Sequence, residues 1–430
     1  MKFSFREIAG IMQLLLIRGT GMVSLFLVNI VIARNFGAAT QGLYQIGLGW
    51  VIVMSTIFRL GQDQLMLRTA AECKAQNDFD MINRKLNASL VLGLAALVVG
   101  TAVALLLIRF NVLKVESGEG REFLSLMVFA ILPTGVLMIV TETIRGWQNA
   151  MRAMVWQGSV PQTLVMLLLL LAVLITPQIT SLFIAGIYVA VFAGSALCAW
   201  LTWRHICVCT FDLPRLSDVS VMIDKGWHFW IYSVLNSIIS WIDILILGWV
   251  ATPETVGHYF AVVRTGAVLG HIVQITSAGA VARLALYYAQ MEYANFANLF
   301  RLYFRFFGIC ALPLAAILLM FPDKIMSVWG SHYESDTQLF LVYGGFQILN
   351  FIFSITGLTV VVMGLEQKLV FNQMGILAFK IFAIAMSYHF FGLPGVVWAS
   401  GVSLFLTNLF VMQLFFGKLL DKGIGWRKLL

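Results

Sequence analysis

The sequence predicts an all-α integral membrane protein with twelve transmembrane helices in two six-helix lobes. Three observations predict it: an apolar composition, continuous apolar runs of helical length, and a motif that recurs half a chain later. Of the 430 residues, 60% are hydrophobic and 11% are charged, with a mean hydropathy of +0.91. Soluble proteins carry roughly 25% charged residues. This composition therefore excludes a soluble globular protein.

The apolar runs are about 20 residues long, which is the length of a helix that crosses a hydrocarbon core of about 30 Å. A barrel would instead show strands of about 10 residues that alternate in polarity. The first helix is expected to stay in place, because no small-residue cleavage site follows it. The twelve spans are predicted at residues 11–33, 43–63, 86–108, 123–144, 155–176, 182–203, 227–250, 258–281, 302–321, 338–362, 370–391 and 396–417.

The basic residues predict the orientation. With both termini in the cytoplasm, the inside segments hold nineteen Lys and Arg residues and the outside segments hold five. This distribution satisfies the positive-inside rule and predicts a multi-pass protein with cytoplasmic termini. Topology and contact with anionic membrane lipid then account for the net charge of +8, so we expect no nucleic-acid partner.

An internal repeat predicts the division into lobes. Gly42-Leu-Tyr44 opens the second predicted span and Gly257-His-Tyr259 opens the eighth, an offset of 215 residues. Two halves of like orientation are a common transporter architecture, with the binding site between them near the midplane. We expect residues 1–215 to form an N-terminal lobe of helices 1–6, and residues 216–430 a C-terminal lobe of helices 7–12.

Two pairs of charged residues lie near the ends of predicted spans. Arg59 and Asp63 are four residues apart and expected on one helix, and Glu142 and Arg145 are three apart. Each pair can neutralise itself across one helical turn. A local ion pair and a functional role are both open, so Arg59 is a candidate for substrate binding. Asp63 and Glu142 are candidates for binding a coupling ion.

Four charged residues in spans lack such a local partner: Arg18, Asp243, Arg264 and Lys380. They cannot face lipid, so they meet one another or water. These four residues are three cations and one anion, so at least two positive charges have no negative partner among them. Unpaired charges in a low-dielectric interior are costly. A water-filled cavity for an anionic guest resolves the imbalance. Arginine suits phosphate because its planar fork donates two parallel hydrogen bonds.

Uncharged polar residues on the same helices are expected to line this cavity. Interhelical hydrogen bonding is the alternative role for them. Asp243 either binds a coupling cation or balances an arginine. No metal-ligand spacing and no phosphate-cradling glycine loop is visible, so we expect no cofactor, with Na⁺ or H⁺ as the coupling ion. The predicted lining residues are Asn29 on the first span, Asn236 and Ser240 on the seventh, and His271 and Gln274 on the eighth.

Five stretches carry a resemblance to a known family by their order and spacing. They are VIARNFGAATQGLYQIGLGW (31–50), RLGQDQLMLRTAAE (59–72), IRGWQNAMR (144–152), WIDILILGWVATPETVGHYFAVVRTG (241–266) and WGSHYESDTQLFLVYGGFQILNFIF (329–353). In these stretches the chain resembles the polysaccharide exporters of the multidrug/oligosaccharidyl-lipid/polysaccharide flippase superfamily, close to the Wzx-type O-antigen flippases.

The resemblance implies a MATE-like fold and a secondary transporter rather than an enzyme. Its relatives move undecaprenyl-pyrophosphate-linked oligosaccharide, such as the O-antigen unit of lipopolysaccharide, from the inner to the outer face of the bacterial inner membrane. It also implies a cationic central cavity, which Arg18, Arg264 and Lys380 fit by position. The expected partners are the lipid-linked oligosaccharide, the polysaccharide polymerase and the chain-length regulator.

Three alternatives stay open. A drug/cation antiporter of the same superfamily needs acids in its cavity, and the surplus charge here has the opposite sign. A membrane enzyme of polysaccharide assembly resembles chains with a large external loop and clustered acids, whereas the loops here are short and the acids are scattered. The third alternative is a scaffold without transport.

Overall fold

A computed structural model of the chain describes residues 5–110, 118–175, 180–207 and 216–420. Within these ranges the regular elements are all helical, which confirms the all-α part of the predicted fold class. The described ranges exclude the side chains of residues 5–12, 14, 15, 216–219, 269, 271, 272, 274–279, 282, 366 and 420.

The chain forms two compact units, residues 1–249 and 250–430. The predicted boundary at residues 215 and 216 came from the sequence repeat and stays a prediction. The helices of the first unit are α1 (Phe5–Phe58), α2 (Gln62–Gln76), α3 (Phe79–Arg109), α4 (Gly118–Val128), α5 (Ile131–Gly146), α6 (Ala150–Met154), α7 (Val160–Ile175), α8 (Ser181–Ile206) and α9 (Leu216–Val250). A π-helical turn, Val155–Ser159, joins α6 to α7.

In the described residues, the second unit consists of five α-helices and one 3₁₀ turn. Its core is rich in phenylalanine: Phe300 stacks on Phe415 with ring centroids 4.4 Å apart, and Phe307 meets Phe351 edge to face at 5.2 Å. The helices are α10 (Pro253–Ala289), α11 (Tyr293–Met320), α12 (Pro322–Met326), α13 (Thr337–Val362) and α14 (Glu366–Leu420), and the 3₁₀ turn is Ser331–Asp336.

The two longest helices are each two helices joined at a glycine. Gly37 in α1 has φ 80° and ψ 174°, and Gly392 in α14 has φ 61° and ψ −146°. Side chains with a Cβ rarely adopt positive φ, so glycine is the residue that permits such a break. The breaks lie between the predicted spans one and two, and between the predicted spans eleven and twelve.

Nine segments of the described chain are long and apolar enough to cross a membrane: 16–58, 79–109, 118–146, 150–175, 181–206, 220–250, 293–320, 331–362 and 367–419. The first and last of them lie within the broken helices α1 and α14, and each broken helix corresponds to two predicted spans. The predicted span 258–281 lies in α10, which is not among the nine. A multi-pass membrane protein follows, and the number twelve stays a prediction.

The end of α5 packs tightly on α2. A Cβ placed on Gly146 would lie 2.2 Å from the carbonyl oxygen of Leu67 and 2.9 Å from the Cβ of Ala70. Both neighbours belong to the body of α2, so neither can swing aside as the end of a flexible side chain would. This close approach holds α2 against the helix that carries Glu142.

We predict that Gly146→Ala destabilises the first unit. Forcing an added methyl group against a backbone carbonyl typically costs about 1–3 kcal/mol. The matched control is Gly194→Ala in α8, where an added Cβ has no atom within 4 Å. There alanine should be neutral or stabilising, because it is a better helix former than glycine. Thermal unfolding of the two purified variants tests this, and equal melting temperatures would contradict it.

Candidate functional site

The first group of candidate residues lies where the second half of α1 ends. Arg59 is buried, and its Nη2 lies 3.4 Å from Oδ2 of Asp63 and 3.0 Å from Oγ1 of Thr56, to which it donates a hydrogen bond. The predicted ion pair exists, but the expectation that both residues share one helix is wrong. Leu60 and Gly61 have φ of 54° and 70° and separate α1 from α2. The pair therefore spans a break in the helix.

Glu142 on α5 joins this group from the other side. Its Oε2 lies 2.5 Å from Nη2 of Arg145, and its Oε1 accepts a hydrogen bond of 3.0 Å from Nε2 of Gln157. Helix α5, which carries Glu142 and Arg145, packs on α2, which carries Asp63. The two pairs that appeared separate in the sequence thus lie at one helix interface, and we call the set of Arg59, Asp63, Glu142, Arg145 and Gln157 the charge cluster.

Gln157 reaches Glu142 from the π-helical turn Val155–Ser159. Such turns insert one residue into a helix and occur frequently at functional sites. The same turn contacts α1, because Ser159 Oγ donates a hydrogen bond of 2.5 Å to the carbonyl of Ile17. Sequence reasoning missed Gln157, since a π turn leaves no clear signature in an apolar run.

Arg18 lines a cavity beside the charge cluster. This cavity of about 440 Å³, here called the Arg18 cavity, lies between α1, α5 and the π turn, and it is also lined by Arg145 and Gln157. Within the described ranges Arg18 forms no ion pair and no hydrogen bond. Its charge is therefore available to a guest in the cavity.

The charges of the first unit's site do not sum to zero. Asp63 is matched by Arg59 and Glu142 by Arg145, while Arg18 adds a third cation at the cavity. A guanidinium that faces a partly enclosed cavity attracts anions, and phosphate or carboxylate groups fit its paired donors. The arrangement can therefore bind an anion. No cluster of His, Cys, Asp and Glu suited to a metal ion occurs in the described ranges.

Asn29 lies in a buried amide network. Its Oδ1 accepts hydrogen bonds from Nε2 of Gln41 at 2.9 Å and of Gln45 at 2.5 Å, and its Nδ2 donates to the carbonyl of Leu25 at 2.6 Å. This network joins the two halves of α1 across the break at Gly37. Of the two roles left open by the sequence, helix packing is the one that these bonds favour for Asn29.

The polar stripe of the seventh predicted span lies on α9. Asn236 and Ser240 are exposed, and each donates to a backbone carbonyl one turn earlier on the same helix, at 2.9 and 2.8 Å. Asp243 is half-buried. Neither Asn236 nor Ser240 is thus occupied in joining α9 to a neighbouring helix.

The remaining predicted residues belong to the second unit. Arg264 is half-buried on α10 and has no ion pair among the described residues, and Lys380 is half-buried on the first half of α14. Helices α10 and α14 contact each other. The side chains of His271 and Gln274 lie outside the described residues.

A buried His–Asp pair in the second unit was missed by sequence reasoning. His258 Nδ1 lies 2.5 Å from Oδ2 of Asp336, with the histidine side chain 16% and the aspartate side chain 9% exposed. The ring of Tyr333 packs on His258 at 4.8 Å. The pair connects the start of α10 to the 3₁₀ turn before α13. Its members are 78 residues apart in the chain, so no spacing rule could have paired them.

Comparison with protein families supports the resemblance seen in the sequence. The family described as polysaccharide biosynthesis protein matches residues 8–283. The match includes both charged pairs, the π turn and all of α9, and it extends into α10. No curated protein matches the chain.

Several solved structures share the fold at low sequence identity. An inward-facing multidrug resistance MATE family transporter of the MOP superfamily has a TM-score of 0.74 at 14% identity, covering 91% of this chain and 94% of that one. An outward-facing transporter of the same description has a TM-score of 0.62 at 15% identity, covering 94% of each chain. A MOP superfamily transporter from Pyrococcus furiosus, described by the reverse polarity of its binding pocket, has a TM-score of 0.59 at 15% identity, with coverages of 94% and 95%.

We predict that Asp63→Asn destabilises the protein by about 3–5 kcal/mol, because removing one partner of a buried ion pair leaves the other charge uncompensated. The matched control is Glu72→Gln. Glu72 also pairs with an arginine four residues away, Arg68, but those two side chains are 55% and 70% exposed. Exposed pairs contribute about 0–1 kcal/mol. Chemical or thermal unfolding of both variants measures the difference, and equal losses would contradict the prediction.

Proposed function

Because this chain belongs to the polysaccharide biosynthesis protein family, we propose that it is a flippase for lipid-linked sugars. It carries undecaprenyl-pyrophosphate-linked oligosaccharide, such as an O-antigen repeat unit, across the bacterial inner membrane by alternating access. The single observation that carries the proposal is the Arg18 cavity, a partly enclosed space whose surplus charge is positive. A pyrophosphate is an anion of the size and geometry that such a cavity accepts.

The proposed topology has twelve spans in two six-helix lobes and both termini in the cytoplasm. The glycine breaks in α1 and α14 support this count, because each divides one long segment into two helices. The distribution of Lys and Arg supports the orientation. In this topology the Arg18 cavity opens near the cytoplasmic face, where a lipid-linked sugar is assembled.

In the proposed mechanism the polyprenyl tail stays in the bilayer while the pyrophosphate and sugars enter the protein. Arg18 binds the pyrophosphate first, and Arg145 and Gln157 stand on the same cavity wall. Arg264 and Lys380 are the cations that the second lobe contributes as the lobes rock. Substrate binding must favour one state over the other for this rocking to occur, because equal affinity shifts no equilibrium.

The coupling ion is proposed to bind the two acids of the charge cluster. Glu142 and Asp63 are buried and each is paired with an arginine, so adding a proton or Na⁺ changes the charge of the cluster beside the cavity. Asp243 on α9 is the alternative position. The polysaccharide polymerase and the chain-length regulator are the protein partners that this function implies.

A drug/cation antiporter is the closest rival because MATE transporters share the fold. A cationic drug needs surplus acid, whereas each acid of the cluster here is already matched by an arginine. The Pyrococcus furiosus transporter described by the reverse polarity of its pocket supports the view that this fold accepts pockets of different charge. The sign of the surplus charge therefore favours an anionic substrate.

We predict that Arg18→Ala lowers export of lipid-linked oligosaccharide roughly ten- to hundredfold. A hydrogen bond to a charged group contributes about 1.5–3 kcal/mol, and 1.4 kcal/mol corresponds to tenfold. Export is measured in cells that depend on this chain for a surface polysaccharide. Transport of a fluorescent lipid-linked sugar by reconstituted protein separates a flippase from a scaffold. Arg18→Lys should retain part of the activity, because it keeps the charge and loses the paired donors.

The matched control is Arg152→Ala, which removes an exposed arginine of α6 that does not line the cavity. It should leave export unchanged. The double variant Arg264→Ala/Lys380→Ala tests the second lobe. Unchanged export in both Arg18→Ala and this double variant, at normal protein levels, would overturn the proposed function.

A further inference from the structure

A second cavity lies on the first unit, apart from the Arg18 cavity. It measures about 430 Å³ and lies between α2, α3 and the first turns of α9, and the two cavities share no lining residue. We call it the α2–α9 cavity. Its titratable lining residues are Arg68, Glu72, Lys85, Asp224, Lys225 and His228.

Two side-chain-to-backbone bonds hold α9 over this cavity. Gln62 Nε2 donates to the carbonyl of Met222 at 3.1 Å, and Trp230 Nε1 donates to the carbonyl of Ile57 at 2.7 Å. Below them, Met222 packs with Leu65 and Ala88 in a small apolar core. The cavity therefore has an apolar floor and a charged rim on three different helices.

The rim carries a surplus of positive charge. Oε1 of Glu72 accepts a hydrogen bond of 2.8 Å from Nε of Arg68. This bond does not use the two terminal nitrogens of the Arg68 guanidinium. With Arg68 and Glu72 paired, the remaining charged lining residues are one acid, Asp224, and two lysines, Lys85 and Lys225. In the described ranges none of these three forms an ion pair. Two ammonium groups from different helices at one cavity are a phosphate-binding arrangement, since each supplies a point charge with three donors.

Aromatic side chains on α9 indicate that this cavity lies at the level of the lipid headgroups. Trp227 and Trp230 stack with ring centroids 5.0 Å apart on α9, and Trp227 is 55% exposed. Exposed tryptophan near the end of a spanning helix is typical of the membrane–water interface. Basic pockets between helices at the cytoplasmic interface are known positions for anionic headgroups.

We propose that the α2–α9 cavity binds a phosphate group, with the headgroup of an anionic phospholipid as the source we expect. Lys85 and Lys225 bind the phosphate oxygens, and the apolar floor around Met222 and Leu65 takes the start of the acyl chains. The bound lipid connects α9 to α2 and α3 and so stabilises the first unit. This site is independent of the proposed transport function, because a bound lipid here need not move.

The test measures binding to the full-length purified protein. Phosphatidylglycerol, phosphatidylcholine and inorganic phosphate are titrated separately, with native mass spectrometry and thermal unfolding as the readouts. Phosphatidylglycerol should bind and raise the melting temperature more than phosphatidylcholine does. Lys85→Ala/Lys225→Ala should weaken phosphatidylglycerol binding about thirtyfold, since each basic residue near an anionic lipid contributes about fivefold.

Two controls keep this test decisive. Arg84→Ala removes an exposed charge one position away on the same helix that does not line the cavity, and it should bind lipid as the parent protein does. Lys85→Arg/Lys225→Arg keeps both charges and should retain binding. Retained binding in this variant would show that loss in the double alanine variant comes from the lost charges and not from a folding defect. Stabilisation by inorganic phosphate that needs both lysines would identify free phosphate as the source. Equal binding of the two lipids, or an undiminished phosphatidylglycerol preference in the double alanine variant, would overturn the proposal.

Discussion

The structure of the first unit depends on one constraint: a charge inside an apolar helical bundle needs a partner or water. Asp63 and Glu142 meet it through Arg59 and Arg145, which lie within ion-pair distance. Removing any one of these four charges would leave another uncompensated at high cost. Arg18 meets the constraint differently, because it is exposed and lines a cavity instead of pairing with an acid.

Departures from regular helix bring these groups together. Leu60 and Gly61 break the helix between Arg59 and Asp63, and the π turn places Gln157 within hydrogen-bond distance of Glu142. Side chains of a regular helix project outward at fixed angles about its axis. A break or an inserted residue changes the direction in which the following side chains project. In this protein the irregular positions and the charge cluster coincide.

The two anion sites proposed for the first unit differ in the groups that they present. The Arg18 cavity presents arginine beside a closed network of ion pairs, which favours oriented binding of a group with two acceptor oxygens. The α2–α9 cavity presents lysines on an exposed rim, which suit a hydrated phosphate near the headgroups. In these proposals the first cavity binds a substrate headgroup and the second retains a lipid. Arg18 and Lys225 are both exposed, so what distinguishes the first cavity is the buried Glu142 beside it, which is paired with Arg145.

The sequence by itself determined the class of protein, because composition and apolar run length depend on the chain alone. It also determined the ion pair Glu142–Arg145, since a spacing of three residues brings side chains together on one helix. The sequence paired Arg59 with Asp63 as well, although the structure forms that pair across a helix break. Only the tertiary structure decided that these pairs lie at one helix interface, that Gln41 donates to Asn29, and that His258 meets Asp336. These contacts join residues from different helices or across helix breaks, and side-chain periodicity along one helix carries no information about which neighbour it meets.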